Sequence, residues 1–268
     1  MYRDRALALP AGRQRIRVGF DPSEPMLIPH RIISRFPPPN GADISFYSTS
    51  GGRTFFCKED KDGRSIRAVE MLSTRIAGEV GILTPDCAVV EDESGSTYFG
   101  SIGLGSIAGT FEVQAHLGTV STNELGASDP WLERYLSGLY AYDLFIGNPD
   151  RSRTNFLMGL EDRQLRAFDF ASADLRLWAG QRFLIENSNT LSLGRRLRKI
   201  HGFDIGAALE MLRRLEAIPS KVIRRMVSEL PRDWLAGVGG ESLCEAWERG
   251  LGARLAALSA GLRDGTLL

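Results

Sequence analysis

Between Ser65 and Gly81 the apolar residues Ile66, Val69, Leu72, Ile76 and Val80 recur every three to four positions. That spacing is one face of a helix, and Gly81 stands where helices commonly end. Ahead of it the pattern changes to that of strands. Residues 43–48 alternate apolar and polar, residues 49–53 with Gly51 and Gly52 have turn chemistry, and residues 54–58 return. A β-hairpin is expected, with a small-residue tip and a second strand ending on Lys58. From about Ile16 to Phe36 only short apolar pieces occur, broken by prolines, and Pro37, Pro38 and Pro39 mark a stiff break. The Arg-rich residues before Arg17 lack the apolar core of a leader and read as a frayed, solvated terminus. After the helix, strands at 88–91 and 97–99 flank a turn at 93–96 and complete a small sheet.

The second half of the chain is mostly of helical period. Ser128, Asp129 and Pro130 have cap and first-turn chemistry, with Ser128 as the expected cap. Leu132, Tyr135, Leu136, Leu139, Tyr140 and Leu144 then give a broad apolar face that delivers the chain to Gly147. A short apolar strand follows Asn155, and a second starts at Leu165 and ends on Asp169. Amphipathic helices are expected over 205–217, 220–230 (Ser220 capping, after Pro219) and 241–262. The expected architecture is α+β and two-lobed in one domain over 1–268. A small antiparallel sheet with one helix forms an N-lobe over 16–101, and a mostly helical C-lobe spans 102–268. A hinge is expected near 97–105. Gly100, Gly103, Gly105 and Gly109 resemble a dinucleotide fingerprint, but the spacing is wrong and no strand–turn–helix context surrounds them, so a Rossmann site is rejected.

Candidate chemistry gathers in the middle of the chain. Phosphoryl transfer needs a carboxylate beside the attacking hydroxyl and oxygen ligands for magnesium on the nucleotide phosphates. Asp150 and Asn155 are spaced D-x-x-x-x-N, and Asp169 follows at hairpin distance, flanked by Phe168 and Phe170. That is the order of a kinase catalytic loop and its metal-binding hairpin. Upstream, Lys58 on a strand precedes Glu70 on a helix, as a phosphate-pairing lysine and its orienting carboxylate would stand. Each piece taken alone also fits ordinary turn chemistry, a plain hairpin with Lys58 in solvent, or a solvated helix glutamate. Asp143, acidic among apolar neighbours, reads as a group that fixes the loop backbone or caps the helix. Arg195, Arg196, Arg198 and Lys199 form a basic run that reads as a solvated face or as a greeting to an acidic partner or phosphate.

Composition narrows the classes. Basic and acidic residues balance at 33 each, so bulk attraction to nucleic acid or membrane is not expected. Cys57, Cys87 and Cys244 are scattered and fit neither a disulfide framework nor a zinc site, which points to a reducing cytoplasm. His30, His116 and His201 are too dispersed for a metal cluster and read as structural. No apolar run approaches membrane-spanning length.

The residues from about Phe56 to Asp174 resemble the HipA-like kinase family, which is distantly related to the phosphatidylinositol kinases. The resemblance is carried by Phe55, Phe56, Cys57 and Lys58; by Ala68, Val69 and Glu70 with the Val-Gly-Ile-Leu-Thr-Pro run ending at Pro85; by Phe99, Gly100 and Ser101; by Asn148, Asp150, Arg151 and Asn155; and by Phe168, Asp169 and Phe170. It implies ATP and Mg2+ as cofactors. Lys58 would contact nucleotide phosphates, Glu70 would hold Lys58, and Asp150 would orient or deprotonate the acceptor hydroxyl. Asn155 and Asp169 would bind magnesium. Gly51 and Gly52 would cover the phosphates, and Thr97, Phe99 and Ser101 would line the adenine hinge. The acceptor would be a protein Ser or Thr, with an antitoxin or other regulatory protein as a further partner in a bacterial toxin setting. Larger relatives carry an added N-terminal subdomain, so a compact, stand-alone kinase is expected. One departure stands out: relatives usually carry His where Ser152 follows the Asp-Arg pair. It supports a second reading, a nucleotide-binding pseudokinase. A lipid kinase is a third reading, weakened by the lack of a basic or amphipathic membrane-binding surface.

Overall fold

The computed structural model describes residues 27–37, 44–119, 130–176 and 188–268. The expected terminal segment before Arg17 and the Ser128 cap lie outside them. Six strands form one sheet: β1 (His30–Arg31), β2 (Ser34–Phe36), β3 (Phe46–Ser50), β4 (Arg53–Lys58), β5 (Cys87–Glu91) and β6 (Thr97–Ile102). Their spatial order is β1-β5-β6-β4-β3-β2. All neighbours are antiparallel except β1, which runs parallel to β5. β1 and β2 occupy opposite edges yet are separated in the chain only by Ile32 and Ile33. Ile32 N–H donates to Glu91 at 2.8 Å and Ile33 N–H to Thr49 at 3.0 Å. The two edges are therefore brought together and the sheet curls on itself. Phe46, Phe55, Cys57, Ala88, Val90 and Tyr98 fill the inside of the curl as a small separate core.

The β3 to β4 turn is Gly51 and Gly52, with φ of +53° and +76°. A two-residue hairpin loop needs left-handed backbone at both central positions, which glycine adopts without steric cost. Helix α1 (Ile66–Glu79) buries the stripe that its sequence announces, and it buries Glu70, Ser73 and Thr74 as well. It packs on the outer face of the sheet against Val89 and Phe99, and it shares its core with the helical half of the molecule.

That half consists of α2 (Thr110–Gly118), α3 (Pro130–Ile146), the hairpin β7 (Phe156–Met158) and β8 (Leu165–Ala167), α4 (Asn189–His201), α5 (Ile205–Glu216), α6 (Ser220–Ser228), α7 (Arg232–Leu235) and α8 (Gly240–Asp264). α3 is its axis: residues 136–146 are all buried, including Asp143. Helix α5 starts behind Asp204, whose carboxylate accepts from Ala207 N–H at 2.9 Å. Ser220 is the first residue of α6 rather than its cap, and Pro219 holds the cap position without a side-chain bond.

Three helices were not expected: α2, α4 and the four-residue α7. α2 has only Val113 and Leu117 buried, and its Phe111 is exposed, so a single buried pair four residues apart carries its period. α4 buries Thr190, Leu191, Leu193 and Leu197 around Gly194, and its basic run masks that stripe. The glycine has a packing reason: a Cβ there would stand 2.4 Å from the Tyr140 ring.

Candidate functional site

Four of the expected residues meet where α1, the end of β4 and the segment after β8 converge. Lys58 Nζ donates to Glu70 Oε1, and also to Asp169 Oδ1 at 2.7 Å. Glu70 Oε2 accepts the Phe170 N–H at 3.0 Å. Asn155 Nδ2 donates to Asp169 Oδ2 at 3.0 Å. Asp169 sits at φ +64°, a left-handed conformation that Asp tolerates better than most residues. The turn at this position aims two adjacent groups differently: the carboxylate toward Lys58 and Asn155, the next amide toward Glu70.

The electrostatics follow from one cation set between two carboxylates. Burial works against the Lys58 ammonium, but Glu70 and then Asp169 outweigh it and hold its pKa above the ordinary value. Burial raises the Glu70 pKa, with Asp169 adding to the effect against the opposing pull of Lys58. For Asp169 burial acts upward, yet Lys58, with help from Arg151, holds its carboxyl below the ordinary value. Lys58 and Glu70 are both nearly sealed from solvent, whereas the Asp169 side chain is 28% exposed at the cleft edge. Removing either member of such a buried pair typically costs about 3–5 kcal/mol through the orphaned charge.

The loop bearing Asp150 is built on a second buried pair. Arg151 Nε donates to Asp143 Oδ2 at 2.9 Å and Arg151 Nη2 to Asp143 Oδ1 at 3.0 Å. Asn148 joins the same carboxylate from its side chain at 2.8 Å. Arg151 also donates to the carbonyls of Phe168 and Asn155, and its guanidinium lies 4.6 Å from the Phe170 ring centroid. Asp143 is thus the residue that fixes the loop backbone. Arg151 ties the loop to the segment carrying Asp169.

Asp150 itself stands exposed at the loop surface. Its Oδ1 accepts from Asn189 Nδ2 at 2.5 Å, and its N–H donates to Asn148 Oδ1 at 3.2 Å. Asn189 opens α4, and its neighbour Thr190 grips the same loop. Thr190 Oγ1 donates to Asn148 O at 2.6 Å and accepts from Arg151 N–H at 2.9 Å, and Thr190 N–H donates to Pro149 O at 3.1 Å. Neither residue carries a sequence signal of its own. They lie 39 or more positions beyond Asp150, and only the fold brings them to it.

The remaining expected residues fall elsewhere. Gly51 and Gly52 are not beside Lys58. They form the exposed tip of the hairpin, with the whole of β4 between them and the lysine, roughly 20 Å at about 3.3 Å per residue. Their left-handed backbone serves the turn. Thr97, Phe99 and Ser101 share a face of the sheet with Lys58, since Lys58 pairs with Phe99 and Phe56 with Ser101. Thr97, however, opens β6 at the end remote from the connection to the helical half. Its hydroxyl takes the Trp234 Nε1–H at 2.9 Å, and its carbonyl takes Arg67 at 2.8 Å. Phe99 is sealed in the core. Ser101, half-buried like Thr97, is the one of the three near the end of β6 that leads to the connecting residues 103–109. The expected hinge near 97–105 therefore overlaps a strand that is paired on both sides through Ile102, and the connection itself starts at Gly103.

Asn155 and Asp169 suit magnesium by donor type. Mg2+ takes oxygen ligands, one or two carboxylates from protein and the rest from phosphates and water. Among the described residues no group of three or more His, Cys, Asp or Glu forms a protein-only cage. Two carboxylates share one lysine, so the cluster carries surplus negative charge at its open edge. Asn155 Oδ1 accepts from Ser152 N–H and Oγ, each at 2.7 Å, and these bonds orient the amide.

No family sequence model matches the chain, and no curated protein sequence matches it. Among solved structures, it is similar to a Helicobacter pylori proinflammatory kinase, CtkA, with TM-score 0.57 and 11% identity over 86% of this chain and 96% of that one. It is also similar to the Shewanella oneidensis HipA toxin solved with HipB and operator DNA, with TM-score 0.45 and 13% identity over 87% of this chain and 67% of that one. The likeness to CtkA shows the fold. This chain has the two-lobed α+β architecture of a kinase, as the HipA-like resemblance implies.

Proposed function

We propose that this chain is a Mg·ATP-dependent phosphotransferase that phosphorylates a protein Ser or Thr hydroxyl. The observation that carries the reading is the convergence of Lys58, Glu70, Asn155 and Asp169 from four separate elements into one hydrogen-bonded cluster. A chance coincidence of motif letters would not bring them together. Lys58, held in place by Glu70, would meet the nucleotide phosphates, and Ser101 would lie near the base. Asn155 and Asp169 would hold magnesium, which when bound neutralises phosphate charge as the transfer proceeds. Asp150 would receive the acceptor proton. The acceptor oxygen forms the new bond to the γ-phosphorus, the bond from that phosphorus to the β,γ-bridging oxygen breaks, and ADP leaves. Asn189 occupies one oxygen of Asp150 and leaves Oδ2 to take the proton. A regulatory partner of the antitoxin kind would be a second protein ligand.

The pseudokinase reading has one observation behind it. Ser152, where relatives usually carry His, turns both its N–H and its hydroxyl onto Asn155 Oδ1, the atom a metal would need. One experiment separates the two readings: transfer of label from γ-labelled ATP to the protein itself and to a lysate, for wild type, Asp150→Ala and Asp169→Ala. The kinase reading expects label in the wild type and a loss of two or more orders of magnitude in each variant. ATP affinity should be retained in Asp150→Ala, and its magnesium dependence lost in Asp169→Ala. Nucleotide binding without label in any sample would establish the pseudokinase.

A further inference from the structure

Helix α4 is tied to the candidate acceptor site at one end and carries an unusual surface along its length. Asn189 and Thr190 bond it to the side chain of Asp150 and to the backbone from Asn148 to Arg151. The absence of a side chain at Gly194 lets it lie against Tyr140 of α3. Its direction away from Asp150 is therefore fixed. Along its solvent side run Asn189, Ser192, Arg195, Arg196 and Lys199, all exposed, with Arg198 half-buried beside them.

The helix Asn189–His201 contains four Arg or Lys residues and no Asp or Glu. Neighbouring helices are built differently. Arg213 and Arg214 pair with Glu210, Arg224 with Glu241 and Glu248, Arg225 with Glu229, and Arg249 with Glu245. Among the described residues no carboxylate lies within ion-pair distance of Arg195, Arg196, Arg198 or Lys199. Arg195 and Lys199 stand four apart, and Arg195 and Arg198, like Arg196 and Lys199, stand three apart. Such like-charge spacings destabilise a helix. The helix dipole rewards cations in the last turn, which accounts for Arg198 and Lys199 but not for Arg195 and Arg196 a turn earlier. The chain balances its charges overall, so this strip is a local surplus rather than a reflection of composition.

We infer that the exposed face of α4 is the acceptor-recognition surface, and that it selects protein segments bearing carboxylates near the phosphorylated hydroxyl. This rests on the phosphotransferase reading above. Arg195 and Arg196 lie roughly 10 Å along the axis from Asn189, and Lys199 about 15 Å, at about 1.5 Å per residue. An extended peptide advances about 3.3 Å per residue, which sets acidic side chains about three to five positions from the acceptor. The planar guanidinium forks suit carboxylates in that role.

The test uses the full chain and two fluorescein-labelled peptides, each with one Ser. One has Glu three to five places to either side of it, and the other has Gln at the same places. Anisotropy at low salt should give at least tenfold tighter binding of the Glu peptide. The triple reversal R195E, R196E and K199E should erase that preference, as should the neutral triple change to Gln, whereas R213E with R214E on α5 should keep it. Equal affinity of the wild type for both peptides would overturn the inference, as would an equal loss in the α5 variant. An RNA oligonucleotide of matched charge that binds more tightly than the Glu peptide, and loses binding in the α4 triple variant, would overturn the protein-acceptor class. Labelled-ATP transfer to both peptides runs alongside. Transfer that proceeds equally to Glu and Gln peptides sinks this inference alone. Absence of nucleotide binding and of transfer sinks the kinase reading, whatever the peptides do.

Discussion

Asp150 meets Asn189 through one short hydrogen bond, and that contact controls how the carboxylate faces an incoming hydroxyl. A bond from a neutral amide to a carboxylate is worth about 1.5–3 kcal/mol. If the bond acts mainly on the transferring complex, Asn189→Ala should lower kcat by roughly 10–100-fold and leave the KM for ATP near its original value. A matching rise in KM for ATP would show instead that the whole loop had moved. Asp150, Asn155 and Asp169 were legible in the sequence because their motif spacing is short range: Asp150 to Asn155 lies within one loop, and Asp169 at the end of the next hairpin. Asn189 was not, because its role is set by how α4 docks. Where Gly51 and Gly52 stand relative to Lys58 was hidden for a related reason. Glycines at a hairpin tip satisfy turn geometry wherever the hairpin points, and nothing in the letters says how far the tip stands from Lys58.

At the scale of elements, periodicity served where one face alone is buried, as in α5 and α8, and where large apolar residues mark a stripe on a helix buried nearly all round, as in α1. It failed for α4, whose buried stripe is interrupted by Gly194 and overlaid by cations. That glycine is the element's sensitive point. Gly194→Ala would place a Cβ 2.4 Å from the Tyr140 ring, and Tyr140 is itself tied through its hydroxyl to Leu267 O at 2.6 Å. Alanine raises intrinsic helix propensity, yet the overpacking should dominate and destabilise by about 1–3 kcal/mol. A urea midpoint that rises rather than falls would mean that Tyr140 swings aside freely. The parallel β1 and the curl of the sheet were equally hidden, since residues 30–36 offer only two- and three-residue strands among prolines.

The whole molecule has two cores, one inside the curled sheet, which buries the Cys57 thiol, and one in the helical body, against which the half-buried Cys87 packs. Cys57 is pushed up to about 11 by burial, against the Ser48 hydrogen bond and Arg35, and Cys87 is pushed up to about 12 by burial, both from an ordinary 9.0. The folded state therefore favours the protonated thiols. Their contribution is complete below about pH 9, where the unfolded thiols are still protonated, and is lost as pH rises toward 11–12. The difference is on the order of 2–4 kcal/mol for each. Urea midpoints at pH 8 and pH 10.5 should fall more steeply for wild type than for a Cys57→Ala, Cys87→Ala variant. Equal slopes would remove the thiols from the account and leave the buried tyrosines to carry it.

In chain order α1 belongs with the sheet, and Arg67 gives it one bond there, to the Thr97 carbonyl of β6 at 2.8 Å, but several of its bonds point the other way. Tyr142 donates to the Ser73 carbonyl, Arg75 pairs with Glu229, Arg67 with Asp233 at 2.9 Å, and Arg214 donates to the Val80 carbonyl at 3.1 Å. The helix is riveted to the lower body. The plane between α1 and the curled sheet is crossed by the apolar contacts with Val89 and Phe99 and by the Arg67 bond to β6. The Lys58 ammonium, reaching from β4 to Glu70 on one side and Asp169 on the other, is a pin driven through that plane. Lys58→Met should speed amide hydrogen exchange across β2 to β4 and leave α1 as protected as α3. Loosening of α1 together with the sheet would mean that the pin holds the helix, and that the rivets do not.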